Sequence, residues 1–132
     1  MKFTIPLDSA QPNHKWRLYV FKDDKILETF HIHRKNSYLA GRDERVSDIF
    51  LSHPSCSKQH AVIQYRAKDE SSPVVPYLMD LKSTHRTFLN GKPLEDSRYY
   101  ELREKDCIKF GGSTREYILL HALSQEEDDD SN

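Results

Sequence analysis

The chain is short of the residues that mark secreted, membrane-spanning or helical proteins. Only two of its 132 residues are cysteine, Cys56 and Cys107, and they lie far apart. The N-terminus, Met1-Lys2-Phe3-Thr4-Ile5-Pro6, has too short an apolar run for a secretory leader, so free thiols in a reducing, intracellular setting are expected rather than a disulfide scaffold. No segment approaches the roughly 20 consecutive apolar residues of a membrane span, which predicts a soluble protein with no membrane partner. A sustained 3.6-residue apolar period is missing too, so no long helix is expected. The chain also lacks a Gly-rich nucleotide loop and an RNA-recognition signature, and any link to nucleic acid is expected to be indirect.

What remains is a β pattern. Apolar residues recur mostly at every second position in short runs separated by Gly, Pro, Asn, Asp and Ser. Residues 15–22 place Trp16, Leu18 and Val20 on one face. Further runs follow at 26–33, 38–41, 48–51, 60–66, 76–81, 87–89, 107–111 and 115–121. With 36% hydrophobic and 11% aromatic content, such runs suit one core between two sheets, a β-sandwich with its loops gathered at the ends. Three regions follow: an extended lead-in at 1–14, a domain at 15–123 with a hairpin loop at 67–73, and an acidic tail at 124–132. The tail holds Glu126, Glu127, Asp128, Asp129 and Asp130 without an apolar residue and is expected to be disordered. The formal net charge of −1 therefore conceals a mildly basic body.

Three polar motifs stand where strand-forming runs end: Gly41-Arg42, Ser57-Lys58-Gln59-His60, and Asp80-Leu81-Lys82-Ser83-Thr84 leading into Thr87-Phe88-Leu89-Asn90-Gly91. Arginine, serine and threonine converging on loops suit a phosphate monoester, because a guanidinium offers paired donors to two oxygens and hydroxyls reach the others. Other chemistries fit less well. His53, Cys56 and His60 make an incomplete zinc set, since a structural site wants four ligands. Cys56 has no motif supplying an activating histidine and carboxylate, so no enzyme, no metal and no cofactor are expected. The basic and aromatic residues from Lys15 to Lys22 alternate as ordinary strand residues do.

Together these motifs resemble the forkhead-associated (FHA) family, whose pattern is Gly-Arg, Ser-x-x-His, then Asp-Leu-x-Ser-x-Asn-Gly-Thr and Asn-Gly. The likeness runs from about Trp16 to His121. Ile32-His33-Arg34, His53-Pro54-Ser55-Cys56 and Arg98-Tyr99-Tyr100-Glu101-Leu102 look especially like the Smad nuclear-interacting protein and pre-mRNA leakage protein subfamily of the retention and splicing complex.

The resemblance implies an all-β sandwich of about eleven strands in two sheets that binds a phosphothreonine-containing protein segment through loops at one end. It implies nuclear location and splicing-complex partners. By position, Arg42, Ser57, Lys58 and Thr84 would meet the phosphopeptide, Ser55 would help choose the third residue after the phosphothreonine, and Gly41, His60, Asp80 and Asn90 would shape the binding loops. One departure stands out: His85-Arg86 occupies the place of the family's Asn-Gly. A histidine replaces an amide that donates and accepts, and a non-glycine at positive φ costs on the order of 1 to 2 kcal/mol. The expected consequence is a remodelled turn, or an Arg86 guanidinium that joins Arg42 and Lys58 around the phosphate. If phosphate reading is lost, the alternative is a scaffold that docks a splicing partner through another surface.

Overall fold

A computed structural model describes residues 3–121; residues 122–132, with the acidic segment and the end of the expected domain, lie outside the described residues. The described residues form eleven strands: β1 Trp16–Lys22, β2 Lys25–His31, β3 Ser37–Gly41, β4 Ile49–Phe50, β5 Ala61–Arg66, β6 Val75–Asp80, β7 Thr87–Leu89, β8 Lys92–Pro93, β9 Tyr100–Glu101, β10 Cys107–Phe110 and β11 Glu116–His121. They form a six-stranded sheet ordered β2-β1-β11-β10-β7-β8 and a five-stranded sheet ordered β4-β3-β5-β6-β9. Among the described residues there is no helix.

Period-two alternation explains the core. Leu18 and Val20 of β1, Ile108 and Phe110 of β10, and Leu119 of β11 point inward and are fully buried with Ile63, Tyr65 and Leu78 of the facing sheet. Strand β5 departs from alternation, with Ala61 to Tyr65 all buried, because its outer face is covered as well. Phe3 packs there with Leu39, Val62 and Leu81. The lead-in is pinned by Ser9 bridging to Arg66, by the Ala10 N–H donating to the Tyr65 carbonyl, and by Arg66 gripping both Asp8 carboxylate oxygens at 2.9–3.1 Å. The buried Gln64 amide donates to Ser9 Oγ at 2.8 Å.

Residue alternation alone missed β8 and β9. Each is two residues long, too short for a period to repeat, and β9 exists through pairing of Tyr77 with Glu101 and Leu78 with Tyr100.

The registers place five connections at one end. Phe21 opposes Glu116, Phe110 opposes Thr87, Ala40 opposes Ala61, and Ala61 opposes Asp80. The β1–β2 turn and the β3–β4, β4–β5, β6–β7 and β10–β11 loops therefore share that end, and the motif residues from Gly41 to Thr87 lie on them.

Candidate functional site: a cationic shelf on the loop tips

Gly41 ends β3 against the backbone of the β4–β5 loop. A Cβ there would sit 2.0 Å from the Lys58 carbonyl oxygen, so only glycine permits the approach. With the loops this close, the Arg42 N–H donates to the Ser57 carbonyl at 3.0 Å and the Asp43 N–H to the Lys58 carbonyl at 3.2 Å. The Arg42 side chain is exposed but aimed, because its Nε donates to the Cys56 carbonyl at 2.8 Å. Its two terminal nitrogens meet no acceptor among the described residues and remain available as a paired donor.

Ser57 is the hub of the loop tips. Its N–H donates to His60 Nδ1 at 3.0 Å, and its Oγ accepts the Thr84 N–H at 3.2 Å. Because Oγ receives that bond, its own O–H can be given to an incoming oxyanion. Lys58 follows, exposed, and Thr84 is exposed on the opposite loop.

His60 is completely buried and faces the edge of Phe110, ring centroids 5.6 Å apart. Accepting at Nδ1 makes Nε2 the protonated nitrogen, and Nε2 donates to the Arg86 carbonyl at 2.9 Å. Burial holds its pKa below the ordinary 6.5, against the opposing pull of that carbonyl and of Asp80, so the ring is neutral.

The same carbonyl accepts the Gly111 N–H at 2.8 Å. Arg86 adopts φ 71° to present it to both donors, so the turn keeps the left-handed conformation rather than being remodelled. Two backbone-directed bonds at about 1 kcal/mol each offset the strain. The Arg86 guanidinium does not join the shelf through any bond seen here: it donates to the Leu94 carbonyl at 3.2 Å, in a hollow also lined by Asp80, Glu95 and Asp96.

Asp80, buried, organises the β6–β7 loop. Its carboxylate accepts the Ser83 N–H at 3.0 Å, the Ser83 hydroxyl at 2.5 Å and the buried Thr87 hydroxyl at 2.7 Å. Asn90 belongs elsewhere. It holds the β7–β8 turn to β10, accepting the Cys107 N–H at 2.8 Å and donating to Asp106 at 3.0 Å, at the end of β7 remote from Thr87. The Ser55 hydroxyl lies between His53 Nδ1 at 2.7 Å and the Gly112 N–H at 2.7 Å, tying two loops together. His85 is exposed beside Thr84 and makes no hydrogen bond among the described residues.

Hydrogen bonds thus bring Arg42, Ser57 and Thr84 together with Lys58 adjoining, leave His85 at the margin, and turn Arg86 and Ser55 to other partners. Sequence motifs did not reveal the Cys56 carbonyl that aims Arg42, since a carbonyl leaves no residue-type signal. Thr87 stood inside a motif without showing that its hydroxyl would anchor Asp80. Burial pushes the Cys56 thiol pKa up, the opposite of what a thiolate nucleophile needs.

A model of the FHA domain matches residues 38–111. The chain belongs to the FHA domain family. The FHA domain-containing protein DDL of Arabidopsis thaliana is 53% identical over 94% of this chain, and Smad nuclear-interacting protein 1 of mouse is 48% identical over 98%. The chain spans 42% and 37% of the lengths of these two relatives. The structure of the yeast splicing factor Pml1, which is integrated into the RES complex, superposes with a TM-score of 0.80 at 26% identity, covering 92% of this chain and 98% of that one. As a member of this family with such relatives, the FHA domain described here is an interaction module related to splicing proteins.

Proposed function

We propose that this domain reads phosphothreonine in a flexible protein segment. Arg42 holds two phosphate oxygens, the Ser57 hydroxyl donates to a third, Lys58 adds charge, and Thr84 and His85 border the peptide beside the phosphoresidue. The observation that carries the reading is the double bracing of the shelf: Arg42 Nε on the Cys56 carbonyl and Thr84 N–H on Ser57 Oγ. Donors held in place before the ligand arrives lose little entropy on binding. Gly41, His60 and Asp80 act behind the shelf by fixing the loops.

A few charge-assisted hydrogen bonds at roughly 1.5 to 3 kcal/mol each, less ordering costs, lead to a micromolar complex near about −8 kcal/mol. Threonine over serine rests on one methyl group, worth about 0.8 kcal/mol when buried. Residues 15–123 form the reading domain, with 1–14 as its lead-in. Relatives named as nuclear and splicing proteins support a nuclear site of action, phosphorylated splicing-complex proteins as partners, and a role without catalysis.

The test is binding to a phosphothreonine peptide library beside its unphosphorylated counterparts, for the wild type and Arg42→Ala. Micromolar binding that needs both phosphate and Arg42 is expected. Partner binding indifferent to phosphate would select the scaffold reading instead, in which the sandwich docks through another surface.

A further inference from the structure

At the end of the sandwich opposite the shelf, β11 finishes among cations. Trp16 of β1 opposes His121 of β11, and Arg17 opposes both Leu120 of β11 and His31 of β2. Arg17 therefore lies on the outer face of the six-stranded sheet, where its Nη1 donates to the Tyr19 hydroxyl at 3.2 Å. Lys15 precedes β1, and His33 and Arg34 follow β2, so Lys15, Arg17, His31, His33 and Arg34 share one corner. The His31 and His33 rings stand edge to face there, centroids 6.3 Å apart.

These groups are close enough to act on one another. Burial holds both histidines below the ordinary 6.5; Arg17 and Arg34 push His31 further down, and Arg34, His31, Lys15 and Arg17 do the same to His33. With the histidines neutral at pH 7, the formal charge of the corner comes from Lys15, Arg17 and Arg34. His31 and Arg34 are exposed, and Nδ1 of His33 meets no hydrogen-bond partner among the described residues. Two carboxylates in the surrounding loops serve other residues: Glu104 pairs with His121 at 3.4 Å, and Asp48 with Lys35.

We propose that this corner is the docking surface of the chain's own acidic segment, residues 124–132, in which Glu126, Glu127, Asp128, Asp129 and Asp130 follow one another. The segment and the corner carry opposite charge, and the reach is short. Strand spacing sets β1 and β2 about 5 and 10 Å from β11, while the chain from His121 to Glu126 spans at most about 18 Å. The shelf lies a further strand length away, about 20 Å along β11. Exposed ion pairs are individually weak, so tethering decides the occupant. Attachment at His121 gives the segment an effective concentration on the order of millimolar, which an acidic segment of another molecule lacks. The corner is then covered from within, while the shelf at the far end stays open.

Amide NMR on the full chain tests this against a variant carrying Glu126→Gln, Glu127→Gln, Asp128→Asn, Asp129→Asn and Asp130→Asn, whose unchanged core amides report that it is folded. At low salt, wild type and variant should differ at the amides of Arg17, His31, His33 and Arg34, and the heteronuclear NOE of residues 126–130 should be higher in wild type. Both effects should fade at about 0.5 M salt, where the screening length is about 4 Å. They should fade equally in the double variant Lys15→Gln, Arg34→Gln, which keeps the acidic segment whole. A segment that merely passes nearby moves the shifts without raising the NOE, so equal NOE values in wild type and variant overturn docking. Differences centred on Arg42, Ser57, Lys58 and Thr84 put the segment on the shelf and overturn the corner as its site. Effects that grow with protein concentration assign the occupant to a second copy and overturn the intramolecular contact.

Discussion

His60 Nε2 lies 2.9 Å from the carbonyl oxygen of Arg86, while His60 Nδ1 receives the Ser57 N–H at 3.0 Å. One buried imidazole therefore spans two loops and sets the separation of Ser57 and Thr84, the residues that flank the proposed phosphate. Substitution His60→Ala leaves the Arg86 carbonyl one donor short, strips the Ser57 N–H of its acceptor and opens a cavity. The expected loss is about 3 kcal/mol in denaturant unfolding. A loss below about 1 kcal/mol would contradict the bracing role.

The same histidine gives stability a pH dependence of definite sign. Its folded pKa lies below the unfolded 6.5, so the unfolded chain binds a proton first on acidification. The stability of the neutral, bonded ring is fully present above pH 6.5 and falls as pH drops below it. His31 and His33 are lowered in the same direction, chiefly by burial, so the diagnostic is a comparison. Melting temperature should fall more steeply between pH 7 and pH 5 in wild type than in His60→Gln, and equal slopes would assign the effect elsewhere.

Arg86→Gly distinguishes a phosphate-binding guanidinium from a structural one. Glycine relieves the φ of 71° but gives up the bond to the Leu94 carbonyl and gains unfolded-state entropy. Stability should stay within about 1 kcal/mol of wild type. Phosphopeptide affinity and its salt dependence should be unchanged, since the charge removed sits among Asp80, Glu95 and Asp96. A flattened salt dependence would show that Arg86 swings onto the ligand.

Arg42→Lys keeps the charge and loses the geometry. Lysine has no second donor to rest on the Cys56 carbonyl while a paired fork faces the phosphate. Isothermal titration with a phosphothreonine peptide should show binding weakened by about tenfold, corresponding to one charge-assisted bond. Thermal stability should scarcely move, the side chain being exposed. Full affinity in the lysine variant would reduce Arg42 to a point charge.

Gly41→Ala tests the loop contact directly. The added Cβ collides with the Lys58 carbonyl at 2.0 Å, a backbone atom that cannot rotate aside. A loss of about 3 kcal/mol is expected, with amide shift changes spreading through 57–60 in NMR spectra. A silent substitution would mean that the β3 end and the β4–β5 loop lie farther apart.

Much of this is legible in the sequence. Alternation at Trp16, Leu18 and Val20 marked a half-buried strand because side chains of a strand point to opposite faces, and that rule is local. The Gly-Arg and Ser-x-x-His motifs were visible for the same reason: residue type and spacing carry them. Strand β9 was invisible because a two-residue strand is defined by its partner, Tyr77 and Leu78, rather than by its own pattern. The fully buried outer face of β5 was hidden as well, since Phe3 and Ser9 cover it from far away in sequence.

The amino-acid order by itself determined the β class, the family and the residue types able to meet a phosphate, because these follow from period, composition and short motifs. Only the tertiary structure decided which of those groups work together. It aimed Arg42 through the Cys56 carbonyl, drew Thr84 to Ser57, and sent the Arg86 guanidinium to Leu94. Those relations depend on backbone atoms and on residues distant along the chain, which meet only when two sheets close over a common core.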